Sequence, residues 1–122
     1  MAAPNLVSVG TITAKSVQAA LTTTLTTEIL ANAASSGKVF KVNNILVANI
    51  DGTNSADASV FITKSGGSPI AIASTIAVPA DAALVVIDKN TSIYLEEGDN
   101  IEAGASADSD LVITINYEEL SE

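Results

Sequence analysis

Cysteine, histidine, tryptophan and arginine are all absent from this sequence of 122 residues. Without cysteine the chain can form no disulfide, no thiolate metal site and no thiol nucleophile. Without histidine it lacks the general base of the common catalytic triads. Aromatic residues are also scarce, and large aromatic side chains are the usual anchors of strong binding sites. The four present are Phe40, Phe61, Tyr94 and Tyr117. We therefore expect a protein that is not an enzyme.

Long apolar runs and targeting signals are missing as well. No apolar run approaches the roughly 20 residues that a membrane-spanning helix needs, so we expect no membrane partner. Met1-Ala2-Ala3-Pro4 has no basic segment, so we expect no signal peptide. Small secreted domains often carry disulfides, so the lack of cysteine favours maturation in the cytosol.

Positively charged residues are also few: the chain has five lysines and no arginine. The net charge is −9, and every lysine lies at or before Lys89. Nine carboxylates and no cation follow between residues 96 and 122. This balance repels nucleic acid and anionic lipid, so neither is an expected partner. The first interpretation of the acidic third is a solvated surface that maintains solubility. The alternatives are a docking surface for a basic partner and a cation site.

The sequence is rich in Ile, Val, Leu and Ala that alternate with polar residues. Hydrophobic residues make up 48% of the chain, enough for a single globular core. Leu111, Ile113, Ile115 and Tyr117 alternate with Val112, Thr114, Asn116 and Glu118. Alternation places successive side chains on opposite faces of a strand. The pattern predicts a strand over 111–118 with Ile113 and Ile115 facing the core.

Similar patterns predict the remaining strands, over 6–14, 18–30, 38–50, 58–64, 70–78, 84–87, 92–95 and 100–105. The 18–30 segment also fits a helix, because Leu21, Leu25 and Ile29 recur every four residues. Its many threonines favour a strand. Turn-forming residues separate the strands at 35–37, 51–54, 65–69, 88–90, 97–99 and 108–110. The sequence predicts an all-β fold, an antiparallel β-sandwich resembling a jelly roll, with eight or nine short strands.

The predicted domain organisation is simple. Residues 1–14 form an N-terminal arm or a first strand, and residues 15–122 form one β-sandwich domain. One domain is the natural expectation for this length.

Two Ser–Lys pairs are candidates for nucleophilic chemistry, Lys15-Ser16 and Lys64-Ser65. Neighbours in a strand point to opposite faces, so neither pair is well placed for catalysis. The glycine-rich 65–68 segment lacks the lysine and the following helix of a phosphate-binding loop. We therefore predict no catalytic and no cofactor-binding residue.

Clustered acids offer two further kinds of chemistry. Glu96, Glu97, Asp99 and Glu102 include possible acid–base pairs for glycoside cleavage, but only Tyr94 lies nearby as a sugar platform. The acidic turns 96–99 and 108–110 supply the hard oxygen ligands that Ca²⁺ prefers. Neither has the spacing of a calcium-binding helix–loop–helix, and both fit ordinary turns. The prediction is no metal site, with a cation at these turns left as an alternative.

Four segments occur in an order that resembles a known group of proteins. They are the stretch 38–49, which ends in Asn49, and the segments 58–62, 76–80 and 93–99. The third contains Val-Pro-Ala and the fourth contains Leu-Glu-Glu-Gly-Asp. This order is similar to small β-rich structural proteins of tailed bacteriophages, notably marine and cyanobacterial phages. The resemblance covers roughly residues 39–119.

The resemblance implies a virion protein assembled in the host cytoplasm. The expected function is capsid decoration, in which a homo-oligomer, most simply a trimer, bridges subunits of the major capsid protein. Residues 1–14 are the candidate bridging arm, because a strand can add to the edge of another sheet. The alternatives are a neck, tail or baseplate component and, from a different class, a carbohydrate-binding adhesin domain at a fibre tip.

Overall fold

A computed structural model of the chain describes residues 4–122, and these residues form nine strands. Over this range the structure contains no α-helix, so the helical alternative for 18–30 is wrong. A single 3₁₀ turn lies at Lys89–Thr91. The strands are β1 Thr11–Ala20, β2 Thr27–Ala31, β3 Lys38–Asn49, β4 Ala56–Thr63, β5 Ile70–Val78, β6 Ala83–Ile87, β7 Ile93–Leu95, β8 Asn100–Ala105 and β9 Leu111–Ser121.

Two antiparallel sheets contain these strands. The first has the order β1-β9-β3-β6, with β7 also paired to β3, and the second has the order β2-β8-β4-β5. Most connections cross from one sheet to the other, so strands adjacent in the chain seldom pair with each other. With β7 set aside, the two four-stranded sheets have the strand order of a jelly roll. The predicted fold class is confirmed.

The core lies between the two inner faces, and small residues make it thin. Ile113 and Ile115 on β9 are fully buried, which confirms their predicted inward orientation. Alanines fill much of the facing sheet. They are Ala56, Ala58, Ala73, Ala103 and Ala105. With few aromatic rings to accommodate, aliphatic side chains make up most of this interior.

The first two strands differ from the prediction. The predicted 6–14 strand is wrong in its bounds, because β1 begins at Thr11 and continues to Ala20 along β9. The predicted 18–30 strand is divided: β1 ends, residues 21–26 connect, and β2 begins at Thr27. Leu21 is buried while Leu25 is exposed, so the leucine periodicity marks neither a strand face nor a helix stripe.

A close backbone contact explains the interruption. A Cβ added at Gly104 on β8 would lie 2.7 Å from the Thr24 carbonyl oxygen and would clash with the Leu25 Cα. The 22–26 loop therefore crosses β8 at the one residue that has no side chain. The amide of Ala105 also donates to the carbonyl of Thr22. Such a crossing depends on a contact between distant residues, which local periodicity does not encode.

The N-terminal segment divides at Thr11. Residues 1–3 of the expected arm lie outside the described residues, and residues 4–10 precede the first strand. Residues 11–14 belong to β1, so the expected boundary at position 14 falls inside that strand. Residues 11–16 are all exposed, whereas Val17 and Ala19 pack against the core.

Two buried asparagines hold the ends of strands. The Asn32 side chain donates to the carbonyls of Lys38 and Leu95. The Asn49 side chain donates to the carbonyls of Asn54 and Val78. Each thus satisfies backbone groups that the ladders leave free. Asn49 is the last residue of β3.

Candidate functional site

The acidic turn 96–99 is built around a buried carboxylate. Asp99 is only 1% exposed, and its side chain accepts hydrogen bonds from the amides of Ser65 and Glu96 at 3.0 and 2.8 Å. The Lys64 ammonium donates to the same carboxylate at 2.5 Å. Asp99 therefore joins the β4–β5 turn to the β7–β8 turn. The position proposed for a cation contains the ammonium of the protein's own lysine.

The other two acids of this turn also have protein partners. Glu96 forms an exposed ion pair with Lys64 at 2.8 Å. The Glu97 carboxylate accepts a hydrogen bond from the amide of Gly37 at 2.9 Å. Gly98 has a φ of 87°, and a Cβ there would lie 2.6 Å from the Ser65 hydroxyl oxygen. The turn thus needs glycine both for its backbone conformation and for its packing against Ser65.

The pKa values of Asp99 and Lys64 are shifted in opposite directions. Burial opposes the charge on Asp99, but hydrogen bonds from Lys64, Glu96 and Ser65 outweigh burial and lower the pKa of Asp99. Hydrogen bonds to Asp99 and Glu96 raise the pKa of Lys64. Both shifts favour the charged forms, so Asp99 and Lys64 are both ionised at neutral pH.

The second acidic turn, 108–110, has a different role. The Asp108 carboxylate accepts a hydrogen bond from the amide of Thr23 at 3.0 Å. The amide of Ser109 donates to the Leu21 carbonyl, and the Asp110 carbonyl accepts from the amide of Ile50. This turn fastens the β1–β2 connection and the loop after β3. Within residues 4–122, no group of three or more acidic, histidine or cysteine side chains is arranged to hold a metal ion.

The lysines of the two Ser–Lys pairs are both engaged in ion pairs. The Lys15 ammonium donates to Glu119 at 2.9 Å, while the Lys64 ammonium is bound to Asp99. A catalytic lysine must be able to accept a proton, and these ion pairs favour the protonated form. The pKa of Lys15 is raised by its hydrogen bond to Glu119.

Glu119 forms a clamp that the sequence analysis missed. Its two carboxylate oxygens bind Lys15 on β1 and Lys38 on β3, each at 2.9 Å. Burial raises the pKa of Glu119, but the hydrogen bonds from both lysines outweigh burial and lower it. The three strands are adjacent in the order β1-β9-β3, so the clamp links three of the five strands of this sheet. A lysine on each flanking strand is visible in the sequence, but the register that aligns them is not.

The remaining acid of the candidate set, Glu102, accepts a hydrogen bond from the Thr63 hydroxyl at 2.7 Å on the neighbouring strand β4. Together with the engaged side chains of residues 96, 97 and 99, this makes the acids of the segment largely structural. The interpretation of the acidic third as only a solvated surface is therefore wrong for Asp99 and Glu119, which are largely buried and ion-paired.

One shallow groove of about 340 Å³ lies beside the exposed part of β1. It is lined by Ala14, Lys15, Ser16, Asn43, Asn116 and Tyr117. Its amide and hydroxyl groups can form hydrogen bonds, but Tyr117 is 91% buried and stacks obliquely on Phe40. Tyr94, on β7, is 46% exposed. An array of exposed aromatic rings for sugar stacking is therefore lacking over residues 4–122.

The sandwich has two lateral sides, each made from the edge strands of both sheets. On one side β1 contacts β2, and on the other β5 contacts β6. The β1–β2 side carries Lys15 and Glu28 on its strands. The two strands of the β5–β6 side carry no charged residue. They expose large apolar side chains at Ile70, Ile72, Ile76 and Val85.

The described part of the chain includes no helix with the length and hydrophobicity needed to cross a membrane. Comparison of the chain with family models, with curated proteins and with solved structures gives no match in any of the three.

Proposed function

We propose that this protein is a non-enzymatic structural protein of a tailed bacteriophage virion, and that it decorates the outside of the capsid. The mechanism is mechanical: copies of the chain form a homo-oligomer, with a trimer as the expected state, and bridge neighbouring subunits of the major capsid protein. Assembly takes place in the host cytoplasm. The proposal includes no nucleic-acid or membrane partner and no cofactor.

One observation carries this proposal. The phage-like segment 39–119 corresponds to strands β3 to β9, which include the central strands of both sheets. The resembling pattern therefore coincides with the greater part of one folded unit. Asn49, where that pattern has an asparagine, is a buried residue that joins β3 to β5. The jelly-roll architecture adds support by analogy, since viral capsid domains use it among other functions.

The surface of the protein suits attachment to a large shell. A chain of net charge −9 is attracted to a basic surface and repelled by nucleic acid. Many copies on one lattice can stay attached through weak individual contacts, because avidity multiplies them. The exposed β1 edge at residues 11–16 is available for strand addition to a neighbouring protein.

The second candidate function is that of a neck, tail or baseplate component, which the same resemblance supports. The adhesin alternative is weaker, because Phe40 and Tyr117 are buried in the core rather than displayed for stacking.

Locating the protein in intact particles tests the proposal. We expect density for the jelly roll on the outer capsid surface in cryo-electron micrographs of purified virions. We also expect heads that lack the protein to assemble but to open at a lower temperature. Density confined to the neck, tail or baseplate would support the second candidate instead. Particles that contain no copy of the chain would exclude both.

A further inference from the structure

We infer that the β5–β6 side of the sandwich faces the symmetry axis along which copies of this chain contact one another. The occupant of this surface is a second copy of the same chain. The inference rests on the proposed homo-oligomer and specifies its interface.

The first observation is the distribution of charge. The chain carries 14 acidic residues and five lysines, yet none lies on β5 or β6. Along the chain, the nearest charged residues lie at the ends of these strands, in the connecting segments, and on the neighbouring strand β4 the half-buried Asp57 pairs with Ala77 of β5. Lys64 precedes β5, Asp81 lies between the two strands, and Asp88 follows β6. This side is therefore an uncharged strip with charged ends on a strongly acidic protein.

Symmetry gives this distribution a physical reason. Close to a rotation axis, each residue approaches its own equivalent in the neighbouring copy. A charged residue there would face an identical charge, which costs free energy when water is excluded. Two copies of net charge −9 also repel one another at longer range. We therefore expect copies to meet on a face that carries little charge, and β5 with β6 meets this condition.

The second observation is exposed apolar surface on the same strands. Ile72 and Ile76 on β5 are 38% and 39% exposed, and Val85 on β6 is 55% exposed. Charges, prolines and bulges usually protect the edge strand of a monomer, and β5 has no charge and no proline but does have bulges. Association would remove these side chains from water, which provides the favourable free energy for contact.

The backbone of β5 indicates the type of contact. Its pairing with β4 shifts register twice, and Thr75 has a φ of 52°. Such bulges interrupt the row of free amide and carbonyl groups at the outer edge. We therefore expect copies to meet through packed side chains rather than through a continuous β-ladder.

Single-cysteine crosslinking is the direct test, because the natural chain has no cysteine to interfere. Ile76→Cys places one thiol on β5, and the matched control Ala31→Cys places one at an exposed position of β2, on the opposite side of the sandwich. Under mild oxidation we expect Ile76→Cys to form a disulfide-linked dimer readily and Ala31→Cys to remain mostly uncrosslinked. Preferential crosslinking of Ala31→Cys would overturn the inference.

A charge substitution provides an independent measurement. Sedimentation velocity of Ile76→Glu should show association weakened roughly tenfold or more, since the substitution brings like charges together in the interface. Ala31→Glu should sediment like the natural protein, and circular dichroism should show that both variants are folded. If Ile76→Glu unfolds, the cysteine experiment still decides the question.

The outcomes separate this inference from the proposed function. A natural protein that sediments as a monomer at high micromolar concentration, with no crosslink at Ile76→Cys, overturns the inference. Its presence on capsids would then still support decoration. Conversely, if Ile76→Cys crosslinks but the protein is missing from virions, the result supports the interface and contradicts the proposed function.

Discussion

The Lys64 ammonium donates a hydrogen bond to the buried Asp99 carboxylate, and through this contact two turns that are 35 residues apart in sequence are joined. The partners differ in environment: the Lys64 side chain is 56% exposed, whereas that of Asp99 is 2% exposed. The hydrogen bonds from Lys64 and two backbone amides offset the free-energy cost of burying the Asp99 charge. Lys64 would remain hydrated without Asp99.

This asymmetry predicts the effect of removing the carboxylate charge. Asp99→Asn should lower the free energy of unfolding by about 1–3 kcal/mol at neutral pH, because the amides of Ser65 and Glu96 then lose a charged acceptor. Urea unfolding measures the change. Asp57→Asn is the matched control on the half-buried face of β4, and we expect its midpoint to stay within experimental error of the natural protein.

The lowered pKa of Asp99 also predicts acid sensitivity. Its pKa in the unfolded chain is about 3.9, and its pKa in the folded protein is lower. The stabilising contribution is therefore present above the unfolded-state pKa and is lost as the pH falls through the folded-state pKa. Glu119, whose pKa is also lowered, acts in the same direction. Stability measured against pH should fall less steeply in acid for Asp99→Asn, and equal slopes would contradict this account.

Because the 22–26 loop crosses β8 at Gly104, we expect position 104 not to tolerate a side chain. The alternating pattern of a strand does not by itself predict this. Gly104→Ala should destabilise the protein by about 1–3 kcal/mol or more, because the added methyl displaces the backbone of Thr24 and Leu25. Thermal unfolding measures the effect. Gly52→Ala is the control, since a Cβ there meets the Asp81 carboxylate at an ordinary 3.6 Å. Similar losses in both variants would mean that loss of glycine itself, rather than the crossing, is responsible.

The two faces of β9 should respond differently to truncation. Ile113→Ala removes a fully buried side chain and should cost about 2–5 kcal/mol, as cavity-forming substitutions do. Asn116 lies on the other face of β9, where its side chain donates a hydrogen bond to Asn44. Asn116→Ala removes this bond and should cost about 1 kcal/mol. Denaturant midpoints decide the matter, and equal shifts would show that the face assignment does not govern stability.

Calcium and sodium distinguish a metal site from the structural role of the acidic turns. Because Lys64 and backbone amides already engage Asp99, Glu97 and Asp108, we expect chelators to leave the melting temperature unchanged. Added salt should stabilise slightly by screening the repulsion among the remaining carboxylates. A saturable increase with calcium, greater than that at equal sodium ionic strength, would instead require a bound ion.

The sequence alone predicts the all-β class and the sandwich, because alternation along a strand and turn residues between strands are local properties. β5 and β8 begin and end where the pattern predicts, and the 111–118 pattern places Ile113 and Ile115 correctly in the core. Each of these segments carries its own signal, so no knowledge of its neighbours is needed.

Only the tertiary structure decides which distant residues meet. The strand register aligns Lys15, Glu119 and Lys38, and the return of the chain brings Lys64 to Asp99. The same chain path carries the 22–26 loop over Gly104, so β1 and β2 are separate strands although threonine, a strand-forming residue, is frequent between them. It also places β5 and β6, neither of which carries a charge, on one side of the sandwich. These relationships depend on how the sheets pair and stack, and short-range periodicity contains no information about that pairing.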